Sequence, residues 1–261
     1  MLKALYAAST GMDAQQVRIE NISNNLSNLN TIGYKASRES FEDLMYDQIK
    51  TPGLNNSTNT IAPVGIQMGH GTKLVGVYKH FSQGEMNQSN RELDVAIEGS
   101  GFLQVTQANG QIAYTRDGNL KLNSQGQLVS NNGLVVSPTI TIPTTATSVT
   151  IGKDGTVSIA SGQDTTAQQL GIIQLAVFQN PSGLKSLGQN LYQETTASGS
   201  PTLVTAGESG SGEILQGFLE NSNVNVAEEL INMIVAQRSY EANAKVLSAA
   251  SQMMQASNNV S

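Results

Sequence analysis

The stretch LYAASTGMDAQQVRIENISNNLSNL, residues 5–29, decides how this chain is organised. Within it Leu5, Ala8, Met12, Gln15, Ile19, Ile22, Leu26 and Leu29 follow one another at steps of three and four, and Gln15 alone is polar. Such spacing is the seam of a helix that packs against another helix. It predicts a helix over residues 1–33, closed by Gly33, a residue that commonly ends helices. The other end of the chain mirrors it. Val226, Leu230, Met233, Gln237, Tyr240, Ala244, Leu247, Ser251 and Met254 repeat the spacing, and only Gln237 and Ser251 are polar. Asn225 followed by Glu228 reads as a capping box, which predicts a second helix over 222–261. Each helix would be about 40 Å long.

The flanks of these seams are short of charge. Lys3, Asp13, Arg18 and Glu20 are the only charged residues before position 30, and Ser251 to Ser261 has none. A two-stranded coiled coil in water carries charges beside its seam. Uncharged Asn, Gln, Ser and Ala suit a helix with neighbours on several sides. A helical hairpin packed on its own body is the alternative.

Between the helices the pattern changes. Residues 46–63, YDQIKTPGLNNSTNTIAP, have no helical period and read as an extended arm or loop, part of a connecting segment over 34–95. From Phe102 onward, short apolar runs alternate with Asn109-Gly110, Asp117-Gly118, Gln125-Gly126, Asn132-Gly133 and Asp154-Gly155. Asn, Asp or Gln followed by Gly suits tight hairpins, because their turns need positive φ. The reading is an antiparallel β-rich middle domain over 96–205, with Leu170–Phe178 as its most buried strand and a return linker over 206–221. The fold class is therefore α+β.

Composition removes several classes of function. The chain has 261 residues and a net charge of -6, with 13% charged residues and no basic stripe, so nucleic acid is not an expected partner. There is no cysteine, which excludes disulfides and thiolate metal sites. No apolar run reaches the roughly 18 residues of a membrane span. The N-terminus lacks the apolar core of a cleaved secretory signal, so export would need another route.

Patterns of catalysis and metal binding are incomplete wherever they begin. His70 and His80 stand apart without cysteine and make a poor zinc site. Ser209 lacks the context of a nucleophile elbow. Gly99-Ser100-Gly101 is not followed by the glycine and helix of a dinucleotide site. Asp117 and Asp154 lack calcium-loop spacing. No catalytic, cofactor-binding or metal residue is assigned, no cofactor is expected, and the chain does not read as an enzyme.

The same residues carry a resemblance. Ser23-Asn24-Asn25-Leu26-Ser27-Asn28 with Thr31, Gly33, Tyr34 and Lys35 resembles the N-terminal signature of bacterial flagellar rod and hook proteins. Ser82-Gln83-Gly84, Leu93-Asp94-Val95-Ala96-Ile97, Gly99-Ser100-Gly101-Phe102 and Tyr114-Thr115-Arg116-Asp117-Gly118 are similar to the family's central motifs. Gly188-Gln189-Asn190-Leu191-Tyr192 resembles a later one. Ser222-Asn223-Val224-Asn225, Glu228, Met233-Ile234, Gln237-Arg238, Tyr240-Glu241 and Asn243 resemble the C-terminal signature. Tyr34, Leu103 and Leu120 stand where the family pattern has Phe. The chain is too short for a hook protein and too long for the smallest proximal rod proteins. Tyr46 and Thr51-Pro52-Gly53 are similar to a segment that marks the distal rod, and a larger proximal rod protein is the rival.

The resemblance implies that both terminal helices join in a coiled-coil-like inner domain with the β-domain outside. It implies a structural subunit that polymerises helically into a rigid hollow shaft in the basal body, spans the periplasm, transmits torque and encloses the export channel. The implied partners are further copies of the chain, proximal rod proteins, hook or hook-junction proteins, the surrounding bushing rings and the flagellar type III export apparatus. A surface-binding β-domain on a helical stalk is the competing reading from another class.

Overall fold

The computed structural model describes residues 2–50, 64–161 and 164–260. Residues 51–63 of the expected arm lie outside the described residues, as do Ser261 and the side chains of 257–260 in the uncharged tail. The chain is α+β, with a helix at each end and a β-rich middle, and it divides into two compact units.

The first unit draws on Met1–Leu26, Ser37–Tyr78 and Asn225–Ser261. It holds helix α1 (Leu2–Ser27), strands β1 (Ser37–Asp43), β2 (Asp47–Lys50), β3 (Ile66–Met68) and β4 (Thr72–Lys79), and helix α2 (Val226–Val260). β1 pairs with β4, and β2 pairs antiparallel with β3. The segment expected to be arm and linker thus carries regular strands. On β4 the side chains of Leu74, Val75, Val77 and Tyr78 are all exposed, so this strand covers no apolar core of its own.

α1 ends at Ser27, six residues before Gly33. Asn24, Asn25, Ser27 and Asn28 are weak helix formers whose side chains compete for backbone groups. The chain then makes tight turns, with Thr31 N donating to Asn28 O and Tyr34 N to Thr31 O. Gly33 is a turn residue at φ +69, and a Cβ there would stand 2.7 Å from the Arg116 backbone. Leu29 is consequently off the helix and packs beside Tyr34, Ala36 and Val224.

The second unit draws on Ser27–Ala36 and Lys79–Val224. Its strands are β5 (Met86–Gln88), β6 (Val95–Glu98), β7 (Phe102–Thr106), β8 (Ile112–Thr115), β9 (Leu120–Leu122), β10 (Leu128–Ser130), β11 (Val135–Ser137), β12 (Ala146–Ile151), β13 (Thr156–Ser161), β14 (Asp164–Ile172), β15 (Gln174–Val177), β16 (Lys185–Gly188), β17 (Leu191–Gln193), β18 (Thr202–Thr205), β19 (Glu213–Gln216) and β20 (Phe218–Glu220). A nine-stranded sheet runs β16-β17-β8-β7-β11-β10-β9, and β15 joins β7 to β18. β12, β13 and β14 form a second sheet. β6 pairs with β19 and β5 with β20, so the expected return linker contains two strands. Val95, Leu103, Val105, Leu120, Val136, Ile173, Leu175 and Ile214 belong to its main core. Phe81, Phe102, Tyr114, Phe178 and Tyr192 form an adjoining cluster of edge-to-face aromatic pairs.

Two local expectations are corrected here. Leu170–Phe178 is not one strand, because the chain passes from β14 to β15 at the buried Ile173, whose N–H donates to Gly155 O at 2.8 Å. Asp117-Gly118 is not a hairpin turn either, since β8 pairs with β7 and β9 with β10. Gly118 lets two backbones meet, and a Cβ there would overlap Val95 O.

Candidate assembly surface and its supports

In the first unit, Asn25 gathers three elements. Its Oδ1 accepts from Ser37 N at 2.9 Å, and its Nδ2 donates to Ser37 O at 2.9 Å and to Glu229 Oε1 at 3.3 Å. A side-chain amide thus imitates a strand partner at the start of β1 and reaches the first turns of α2. Burial pushes the Glu229 carboxyl up, and the Asn25 hydrogen bond and Arg38 oppose it. Asn225 caps α2, with Oδ1 accepting from Ala227 N at 3.0 Å and Glu228 N at 3.3 Å. The Glu228 carboxylate, expected to complete the box, pairs instead with Arg38 at 3.3 Å. Nearer the other end, a Cβ on Gly11 would stand 2.8 Å from Asn243 Nδ2, so glycine lets α1 meet α2 closely.

On α1 Ala8, Ala14, Ile22 and Asn25 are buried, and Leu5, Met12, Gln15, Ile19 and Leu26 are half-buried. On α2 it is Glu229, Asn232, Ala236, Ser239, Asn243, Leu247, Ala250 and Met254, with Met233 and Ala244 at its margin. This stripe is rotated from the one the sequence spacing selects. Val226, Leu230 and Tyr240 are more than a third exposed, and Gln237 and Arg238 are exposed. The face that α2 turns inward is small and polar, whereas a search for large apolar residues finds its outward side.

That outward side has its own order. Ile231, Val235, Arg238, Ala242, Val246, Ala249 and Met253 repeat steps of four and three, and only Arg238 is charged. Ile231 is 62% exposed, Val235 49%, Val246 49% and Met253 56%. Ile234 adds a further exposed apolar side chain. Arg238 answers its own helix, pairing with Glu241 at 3.2 Å. An exposed apolar stripe of this length marks a surface for a further partner.

In the second unit a buried charge cluster joins the motif residues. Lys35 Nζ donates to Glu220 Oε1 at 2.6 Å and to Ser82 O at 2.7 Å. Arg116 donates to Glu220 Oε2 at 3.3 Å and to Gly99 O at 2.7 Å. Gly84 N donates to Glu220 Oε1 at 2.9 Å, and Gly33 N to Glu220 O at 2.8 Å. Burial pushes the Lys35 ammonium and the Arg116 guanidinium below their ordinary range, and Glu220 opposes the shift in both. Asn223 adds a second clasp, accepting from Ala36 N at 2.7 Å and donating to His80 O at 2.8 Å. Asp94 is fully buried, with its backbone oxygen accepting from Gly217 N, while Gly99 and Gly101 adopt φ +112 and +138. Asn28 lies at the turn after α1, where its Oδ1 accepts from Thr31 Oγ1. Glu220 escapes sequence reasoning, because a single Glu in a presumed linker carries no periodic or motif signal.

Many of these fastening residues lie in stretches of the chain that match known families. Residues 5–35 match the family described as flagella basal body rod protein, 96–159 the flagellar hook protein FlgE/F/G D1 domain, and 215–260 the flagellar basal body rod FlgEFG protein C-terminal region. The flagellar basal-body rod protein FlgG of Buchnera aphidicola (subspecies Acyrthosiphon pisum) is 49% identical, over 98% of both chains. The chain belongs to the flagellar basal-body rod protein family. FlgG of Caulobacter vibrioides is 45% identical over 98% of each chain, and FlgG of Bacillus subtilis 37% identical over 98% of this chain and 97% of that one. This rod-family chain is a structural subunit and not an enzyme, as its relatives are rod proteins along their whole length.

Proposed function

We propose that this chain builds the distal rod of the flagellum, polymerising helically into a rigid hollow shaft that transmits torque and encloses the export channel. The carrying observation is the second apolar stripe of α2, from Ile231 to Met253, which the described residues leave uncovered. Burying an aliphatic side chain stabilises by roughly 1.5–3 kcal/mol, so four such residues per subunit supply ample drive for self-association. The Asn25–Glu229 bond and the Gly11–Asn243 approach support a coiled-coil-like inner domain. In this reading Leu5, Met12, Ile19, Ile22, Leu26, Val226, Leu230, Met233, Tyr240, Leu247 and Met254 are assembly residues. Proximal rod proteins adjoin one end, hook or hook-junction proteins the other, and bushing rings surround the shaft in the periplasm. Export runs through the flagellar type III apparatus.

Electron microscopy of the concentrated full chain tests this. Tubes of uniform diameter are expected, and Leu26→Asp should abolish them while the β-rich unit keeps its melting transition. A wild-type chain that stays monomeric at high concentration and fails to enter basal bodies would overturn the proposal.

A further inference from the structure

Lys79 closes β4 with a charge that no carboxylate among the described residues answers. Its Nζ donates to Lys35 O at 3.0 Å and stands 4.1 Å from the centre of the Tyr34 ring. Among the described residues every ion pair uses another cation. Burial alone pushes its pKa down to about 8, the mark of an ammonium removed from water without a counter-charge.

Lys79 opens into a cavity of about 200 Å³ walled by Asn28, Tyr34, Gln189, Asn190 and Tyr192. The Gln189-Asn190 turn that forms one side is fixed by positive φ at both residues, +54 and +59, between β16 and β17. Asn190 Nδ2 holds it by donating to Ile32 O at 2.8 Å. Lys35, whose carbonyl receives Lys79, belongs to the cluster with Arg116 and Glu220. Three cations and one carboxylate leave an excess of two positive charges here, in a chain whose net charge is -6.

We propose that this cavity is the receptor for a carboxylate side chain presented by a second copy of the chain. The volume is below the roughly 300–1,000 Å³ of small-molecule sites and suits one side chain. Tyr34 and Tyr192 can cover a methylene stem, and the amide walls are neutral toward an incoming anion. The chain has 20 acidic residues against 14 basic ones, so neighbouring copies bring carboxylates in surplus. A half-buried cation that gains a partner only on association favours the correct register and penalises the wrong one. The inference rests on the self-assembly reading and names one of its contacts.

Two measurements decide it. In the first, sodium acetate is titrated into the full-length monomer while the amide signals of Gly188 to Leu191 are followed by NMR. A saturable shift is expected in the wild type and in Lys79→Arg, and none in Lys79→Met. Thermal melts verify that each variant is folded. In the second, polymer grown from mixed ¹⁴N and ¹⁵N chains is treated with a water-soluble carbodiimide, which joins an amine to a carboxylate in contact. Lys79 should appear in mixed-isotope peptides linked to Asp or Glu, and in none from dilute monomer. Lys79→Met should raise the threshold concentration for polymerisation about tenfold or more. A polymer in which Lys79 forms no inter-chain link, or whose threshold ignores Lys79→Met, overturns the receptor and leaves self-assembly standing. A wild-type chain that binds acetate through Lys79 yet never polymerises overturns the second copy as occupant. Absence of any Lys79-dependent acetate shift overturns the cavity as a carboxylate site.

Discussion

Glu220→Gln removes one charge and almost no volume from the centre of the β-rich unit. Glu220 is 1% exposed and stands between Lys35, 0% exposed, and Arg116, 5% exposed. The substitution leaves two buried cations with no carboxylate. Its amide oxygen can still accept at one of the two carboxylate positions, but the amide NH₂ at the other would face a cation or the Gly84 N–H, both donors. Breaking a buried pair from one side costs about 3–5 kcal/mol, because the surviving charge stays desolvated. For a unit of this size that corresponds to a fall of about 6–20 °C in Tm. Calorimetry of the monomer would resolve the transition of the β-rich unit. The paired substitution Lys35→Met with Glu220→Leu should lose less than Glu220→Gln alone, since apolar groups replace the pair together. A Glu220→Gln transition within about 1 kcal/mol of wild type would refute the assignment of this cluster as the clasp of the motif residues.

Other substitutions probe separate joints. Gly84→Ala would drive a Cβ into Asn221 O, a backbone atom, so a loss of at least about 1–3 kcal/mol is expected in urea denaturation. For Lys79 the folded pKa of about 8 lies below the ordinary 10.5, so the unfolded chain binds the extra proton between these values. The Lys79 contribution to stability is therefore least favourable below pH 8 and rises toward pH 10.5. The stability of wild type minus that of Lys79→Met should climb across that window in denaturant titrations. Asn225→Ala removes the cap of α2 and should cost about 0.5–2 kcal/mol, measured as faster amide exchange at Ala227 and Glu228.

The α+β division is legible because periodicity changes visibly from three-and-four steps to short runs between Gly turns. The α1 stripe is legible only in part, since Ala8 and Ile22 are apolar and buried, Met12 and Ile19 are half-buried, and the buried Ala14 and Asn25 lie off the spacing. The inward face of α2 is not, because Asn232, Ser239 and Asn243 look like solvent-facing residues. Asn225 reads as a cap and serves as one, whereas Glu228 is taken by Arg38, a partner distant in sequence. Gly33 carries a true turn signal, but the turn lies beyond a helix already ended by its Asn and Ser run. At Gly118 the sequence shows Asp-Gly, and only the approach of Val95 O separates close packing from a hairpin. The charge cluster is hidden for the same reason: Lys35, Arg116 and Glu220 are far apart along the chain, and nothing local announces that they meet.

The central claim is that the outer stripe of α2 becomes buried when the chain assembles. The chain has no cysteine, so Val246→Cys and Ile231→Cys each give one attachment point for a nitroxide label. Electron paramagnetic resonance of the dilute monomer should show mobile labels at both positions, which are 49% and 62% exposed in the wild type. In sedimented polymer both spectra should broaden to the immobilised limit. A polymer that forms while both labels keep their monomer mobility would contradict the account.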